Sequence, residues 1–80
     1  MKITLIELLK IIAKSLNVKV SKINIKTKDV DLEEWDSLGQ LSIISSLDKK
    51  FKGKVKFDTI ASATNINTIA NFLKKKNFLK

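Results

Sequence analysis

An all-α fold, a small antiparallel bundle of three main helices plus one short helix, is the class this chain predicts, and three observations carry it. Three stretches repeat apolar residues at the spacing of one helix face. A residue able to cap a helix stands ahead of each. Proline is absent, and the one segment that alternates like a strand has no partner to pair with. Eighty residues make one domain, 1–80, with a small core.

The elements follow in order. Thr4-Leu5-Ile6-Glu7 reads as a capping box, and Leu5, Leu8, Leu9, Ile12 and Leu16 continue it at helical spacing, so a first helix is expected over about 5–16. In a chain this short that stripe serves the core. From Asn17 to Asp36 no helical period is sustained; Val18, Val20, Ile23 and Ile25 offer apolar anchors to a long ordered loop. A second helix is expected over about 37–51, with Leu38, Leu41, Ile44, Leu47 and Phe51 inward, Ile43 beside them, and Gly53 as the stop. Gly39 in its first turn is expected to keep the ground beside Ser37 low. Lys54-Val55-Lys56-Phe57 reads as an extended connector burying Val55 and Phe57. Asp58 is expected to cap the short helix at about 59–63, with Ile60 and Ala63 inward. Asn65 or Asn67 caps a last helix at about 67–76, burying Ile66, Ile69, Ala70 and Leu73 with Phe72 near the edge.

Composition narrows the chemistry. With no Cys there is no disulfide or thiolate metal site, and with no His or Cys a serine nucleophile has no ready base. Autonomous catalysis is not expected. The first sixteen residues are too short and too charged for a membrane span or a signal peptide, so a soluble, cytoplasmic protein without stable membrane insertion is expected. The formal net charge is +8, all sixteen basic residues being Lys. Drift toward A/T-rich codons would produce such lysine and asparagine usage. The charge is segregated: Asp29, Asp31, Glu33, Glu34, Asp36 and Asp48 fall in a span without any lysine, while the lysines elsewhere face only Glu7 and Asp58. A polyanion is repelled from the acidic span, and a partner docking there should be positive.

Two runs invite alternative readings. Asp29, Asp31 and Glu33 match positions one, three and five of a calcium loop, but Glu34 stands where glycine is needed and Gln40 where a bidentate carboxylate is needed, so no metal is expected. Lys49, Lys50, Lys52, Lys54 and Lys56 lack the arginine forks and aromatic platforms of nucleic-acid readers. A solvated face or docking to an acidic patch ranks ahead of RNA or DNA.

Asp36-Ser37-Leu38 is the most informative feature. It places a hydroxyl where a helix begins, in water, near the first free N–H groups and the positive end of the helix dipole, a setting that favours an attached anion. Ser37 with Gln40 also matches a plain capping box, and Asp36 competes for the cap. The stretch Trp35-Asp36-Ser37-Leu38-Gly39-Gln40-Leu41, running into Leu47-Asp48-Lys49-Lys50-Phe51, resembles the acyl carrier protein family, whose members open their second helix with Asp-Ser-Leu. The resemblance implies three main helices and one short one, and a long first loop. It implies that Ser37 is esterified with 4'-phosphopantetheine by a phosphopantetheinyl transferase with Mg²⁺, and that the arm's thiol holds an acyl group as a thioester for acyl-loading and acyl-transferring enzymes. By the same resemblance Asp36 belongs to the motif the transferase reads. Leu38 either packs under the helix start or touches the transferase or the arm, and Trp35 either anchors the loop or flanks the arm or a partner. Leu41, Ile44, Ile60, Ala63 and Ile69 would line the acyl pocket. A carrier that visits several enzymes is most simply a monomer.

One departure from the family points to its use. Fatty-acid-synthesis carriers are acidic along the exposed face of helix two, whereas that face is expected here to show Gly39, Gln40, Ser42, Ser45 and Ser46, then Asp48 beside Lys49 and Lys50. A specialised pathway is expected: surface glycan, lipid modification or secondary metabolite. An aminoacyl or D-alanyl carrier is the nearest rival, and a basic helical module binding nucleic acid or membrane is the more distant one.

Overall fold

A computed structural model describes residues 2–55 and 60–80. Among these are three α-helices and no strand: α1 (Leu5–Leu16), α2 (Ser37–Lys50) and α3 (Ile66–Lys75). Asp58, Phe57 and the start of the expected short helix lie outside the described residues. Ile60 is helical, and from Ala61 the chain turns, the Ala63 N–H donating to the Ile60 carbonyl, so the described part of the short helix ends before the expected residue 63.

Local chemistry explains where each helix starts and stops. Thr4 and Glu7 form the capping box reciprocally: Thr4 Oγ1 accepts from the Glu7 N–H at 3.1 Å, and Glu7 Oε1 accepts from the Thr4 N–H at 3.0 Å. Asn65, not Asn67, caps α3, its Oδ1 accepting from the Thr68 N–H at 2.7 Å. All three helices end alike. The chain turns left-handed at Asn17, Lys52 and Asn77, and the next N–H reaches back five residues, from Val18 to Ala13, Gly53 to Asp48 and Phe78 to Leu73. Asparagine suits two of those left-handed positions.

Leu16 at the end of α1 packs on Gly39 at the start of α2, and Glu7 near the start of α1 lies within reach of Lys50 at the end of α2, so the two helices run antiparallel; between them the Ser15 hydroxyl donates to Ser46 Oγ at 2.7 Å. Ile66, Ile69, Ala70 and Leu73 of α3 close a core shared with Leu8, Ile12, Ile43, Leu47 and Val55. The long loop is not a bare span. It makes 3-10 turns at Val20–Lys22 and Asp29–Asp31, buries Ile23, and is stitched to the start of α3 by Asp29 N–H to Thr64 O (2.8 Å) and Ile66 N–H to Thr27 O (3.0 Å). Val20, expected as an anchor, is 42% exposed. At the other end Ile3 pairs with Leu79, and Phe78 stacks on Phe51 with ring centroids 4.5 Å apart.

The inward face of α2 differs from expectation. Gly39, Ile43, Ile44 and Leu47 are buried with Phe51, while Leu38 is 76% and Leu41 47% exposed. Leucines and isoleucines stand on both sides of this helix, and contacts at its first turn decide which side faces in.

Candidate functional site

Those contacts begin with the cap. Asp36 is in extended conformation and its Oδ1 accepts from the Gly39 N–H at 2.8 Å, which makes Asp36 the cap and Ser37 the first helical residue. A carboxylate at the positive end of the dipole outcompetes a hydroxyl for this role. Ser37 is exposed, and no hydrogen bond to its hydroxyl occurs among the described residues. Of the two caps the motif offered, the one by Asp36 forms and the Ser37–Gln40 box does not.

Gly39 points into the molecule, not toward the ground beside Ser37. A Cβ there would overlap the Glu34 carbonyl oxygen and come within 2.8 Å of Leu16 Cδ2. Only a glycine lets the loop's last turn lie directly against the helix start. This close approach rotates Ile43 and Leu47 inward and leaves Leu38 and Leu41 outside.

Trp35 is 5% exposed, held in the core. Its Nε1–H donates to Gln40 Oε1 at 2.6 Å, and Gln40 Nε2 donates in turn to the carbonyls of Ile60 (2.9 Å) and Ala61 (3.2 Å). Gln40, expected on the exposed face, is half-buried and ties the loop, α2 and the turn after Ile60 together. Sequence reasoning missed it, although a lone Gln one turn after the only Trp was the available signal. Ser42 and Ser46, expected outward as well, are half-buried; Ser46 meets Ser15 of α1.

Beside Ser37 runs an open groove of about 600 Å³. Leu41, Ile44, Ala63 and the edge of Trp35 supply its apolar wall, and Asp29, Gln40, Ser62 and Thr64 its polar one. Of the residues expected to line an acyl pocket, Leu41, Ile44 and Ala63 border this groove, while Ile60 and Ile69 are 1% and 0% exposed, packed as core, and do not border it. Helical period marks them as inward but cannot separate a pocket wall from packed interior. Leu41 and Ile44 also border a recess of about 410 Å³ on the far side, with Ser45, Asp48 and Val55. The exposed edge of α2 is therefore Leu38, Leu41, Ser45 and Asp48, a leucine pair next to Ser37 followed by one carboxylate.

Several acidic side chains have backbone duties here. Asp29 Oδ1 accepts from the Val30 N–H at 2.8 Å, Asp31 Oδ2 from the Lys28 N–H at 2.9 Å, and Asp36 caps α2. Glu33 and Glu34 are exposed. The groove lining holds no imidazole, thiol or amine that could take the Ser37 proton. Chemically, the arrangement presents an exposed hydroxyl with the carboxylates of Asp29 and Asp36 among the groove residues.

A family described as the phosphopantetheine attachment site matches residues 3–73. The match spans α1, α2 and most of α3. No curated protein and no solved structure matches the chain.

Proposed function

The chain belongs to the phosphopantetheine-attachment family, and from that premise we propose that Ser37 is the attachment point and that the cargo belongs to a specialised pathway. The family's domains are non-catalytic carriers of covalently attached 4'-phosphopantetheine that work with phosphopantetheinyl transferases and acyl-handling enzymes. When bound, the group supplies a terminal thiol that holds an acyl chain as a thioester.

The observation that carries the assignment is the division of labour at the start of α2. Asp36 takes the cap, which leaves the Ser37 hydroxyl exposed at the positive end of the helix and without a hydrogen bond among the described residues. The residues present fit the group. The N–H groups of the first turn favour a phosphodiester at that hydroxyl, and the adjoining groove has both the apolar and the polar lining that an arm of amides and methylenes needs. Asp36 and Leu38 stand on either side of Ser37, accessible to a transferase; Trp35 lies beneath them and reaches a partner only through its groove edge.

The pathway reading rests on the edge of α2, where Leu38 and Leu41 precede a single acidic residue, Asp48. Enzymes that read an acidic helix-two face bind this edge weakly. The aminoacyl alternative draws on Asp29, Ser62 and Thr64 in the groove, which suit a polar cargo better than a long alkyl chain. Loading by an adenylating enzyme against loading by an acyltransferase separates the two. No helix among the described residues is long and apolar enough to cross a membrane; we take the carrier to be a cytoplasmic monomer.

The test is intact mass after incubation with coenzyme A, Mg²⁺ and a broad-specificity transferase. Wild type should gain one phosphopantetheine and Ser37→Ala none. A folded wild type that gains nothing, beside a control carrier modified in the same tube, overturns the assignment.

A further inference from the structure

The acidic span that surrounds Ser37 has a counterpart at the opposite end of α2. Ser37 and Lys50 are separated by the length of that helix, about 20 Å at the usual rise per residue. Around Lys50 the fold gathers lysines distant in sequence. Ile3 pairs in parallel with Leu79, which leaves Lys2 and Lys80 at the two ends of that pairing, and both Lys50 and Lys80 are close enough to act on the carboxyl of Glu7, the one acid within this group of lysines. Lys10 stands one turn beyond Ile6 on α1. Lys2, Lys10, Lys50 and Lys80 are all exposed.

This pole also shows uncovered apolar surface. Ile6 is 64% exposed and Leu5 38%, although both belong to a helix whose other large apolar residues are buried or half-buried. Exposed branched side chains on a helix that also carries Lys10, with Lys50 and Lys80 near its first turn, are what an interfacial binding surface needs: the lysines meet lipid phosphates and the apolar side chains enter the headgroup boundary.

We propose that the Lys2–Ile6–Lys10–Lys80 pole adsorbs to anionic lipid surfaces and turns Ser37 toward the solvent. Charge complementarity selects the occupant. Every cation is a lysine, a point charge suited to a diffuse phosphate layer and not to bidentate recognition of a defined anion. The orientation follows from the same segregation, because a negative surface repels the pole formed by Asp29, Asp31, Glu33, Glu34 and Asp36. Adsorption of this kind is reversible, crosses no membrane, and is independent of whether Ser37 is modified.

The absence of native cysteine makes a site-resolved test direct. Single variants Ile6→Cys and Leu38→Cys, each carrying an environment-sensitive dye, are mixed with phosphatidylcholine vesicles and with vesicles that also contain phosphatidylglycerol. Both proteins should sediment with the anionic vesicles only. The dye should shift to the blue at position 6 and stay unchanged at position 38, and sedimentation should disappear in about 1 M NaCl, where the Debye length is about 3 Å. The triple variant Lys2→Glu, Lys10→Glu, Lys80→Glu should lose sedimentation at least tenfold while keeping its helical circular dichroism. No sedimentation at low salt, a shift at position 38 without one at position 6, or tighter binding to polyglutamate than to the vesicles would each overturn the proposal, the last in favour of an acidic protein partner.

Discussion

Gly39 decides more at the residue scale than its size suggests. Glycine inside a helix ordinarily costs about 1 kcal/mol against alanine, so Gly39→Ala would be expected to stabilise by propensity alone. The neighbouring Glu34 carbonyl oxygen, a backbone atom that cannot rotate away, reverses the sign. Overpacking of this kind costs about 1–3 kcal/mol, and thermal melts of Gly39→Ala should show a net loss of stability. Asp36 allows a complementary separation of roles. Asn caps about as well as Asp, so Asp36→Asn should melt near wild type; slower phosphopantetheine transfer to that variant would assign the carboxylate to recognition, and an unchanged rate would confine it to capping. Glu7 carries the pH dependence. The Thr4 backbone N–H, then the Thr4 hydroxyl, hold its carboxyl below the ordinary 4.5, with Lys50 and Lys80 adding attraction. A folded-state value below the unfolded one means the contribution is present above about pH 4.5 and is lost as pH falls through the folded value. Acid titration of stability should therefore be flatter in Glu7→Gln than in wild type over that window.

Helices α1 and α3 were legible nearly to the residue, because each has one apolar face and a strong cap: Thr4 with Glu7 for α1, Asn65 for α3. The span of α2 was legible as well, but not its inward face. Leu38 and Leu41 continue the apolar period as well as Ile43 and Leu47 do, and the contacts that break the tie, Gly39 against Glu34 and Leu16, are not local in sequence. Gln40 was hidden for a related reason: a polar residue enters the interior only because Trp35 Nε1 and the Ile60 and Ala61 carbonyls await it there. That a helix begins at Ser37 could be read from the sequence because a helix start is a local feature, whereas the groove beside it depends on Ala61, Ser62 and Thr64 arriving from another part of the chain. Gln40→Ala should show what this tie holds. It leaves the buried indole N–H without its acceptor, at a cost of about 1–3 kcal/mol, and frees the turn after Ile60. Loss of stability together with a shifted tryptophan emission is the expected result; a normal emission spectrum would mean that Trp35 is held by packing alone.

Over the whole molecule, charge segregation has a cost that range decides. Attraction between the acidic end of α2 and the lysine end acts across about 20 Å, more than twice the Debye length of about 8 Å at physiological ionic strength, and is largely screened already. Repulsion among the lysines gathered by the Ile3–Leu79 pairing acts at shorter range and survives that screening better. Added salt should then remove more repulsion than attraction. Melting temperature should rise between low salt and about 0.5 M NaCl, and for a domain of this size a gain of 1 kcal/mol corresponds to about 4–8 °C. The same reasoning predicts that a Lys2→Gln, Lys10→Gln variant, relieved of part of that repulsion while Lys80 keeps its attraction to Glu7, melts higher than wild type at low salt and responds less to NaCl. A wild type that melts lower as salt rises would mean that attraction across the poles dominates, and that segregated charge helps to hold this fold together.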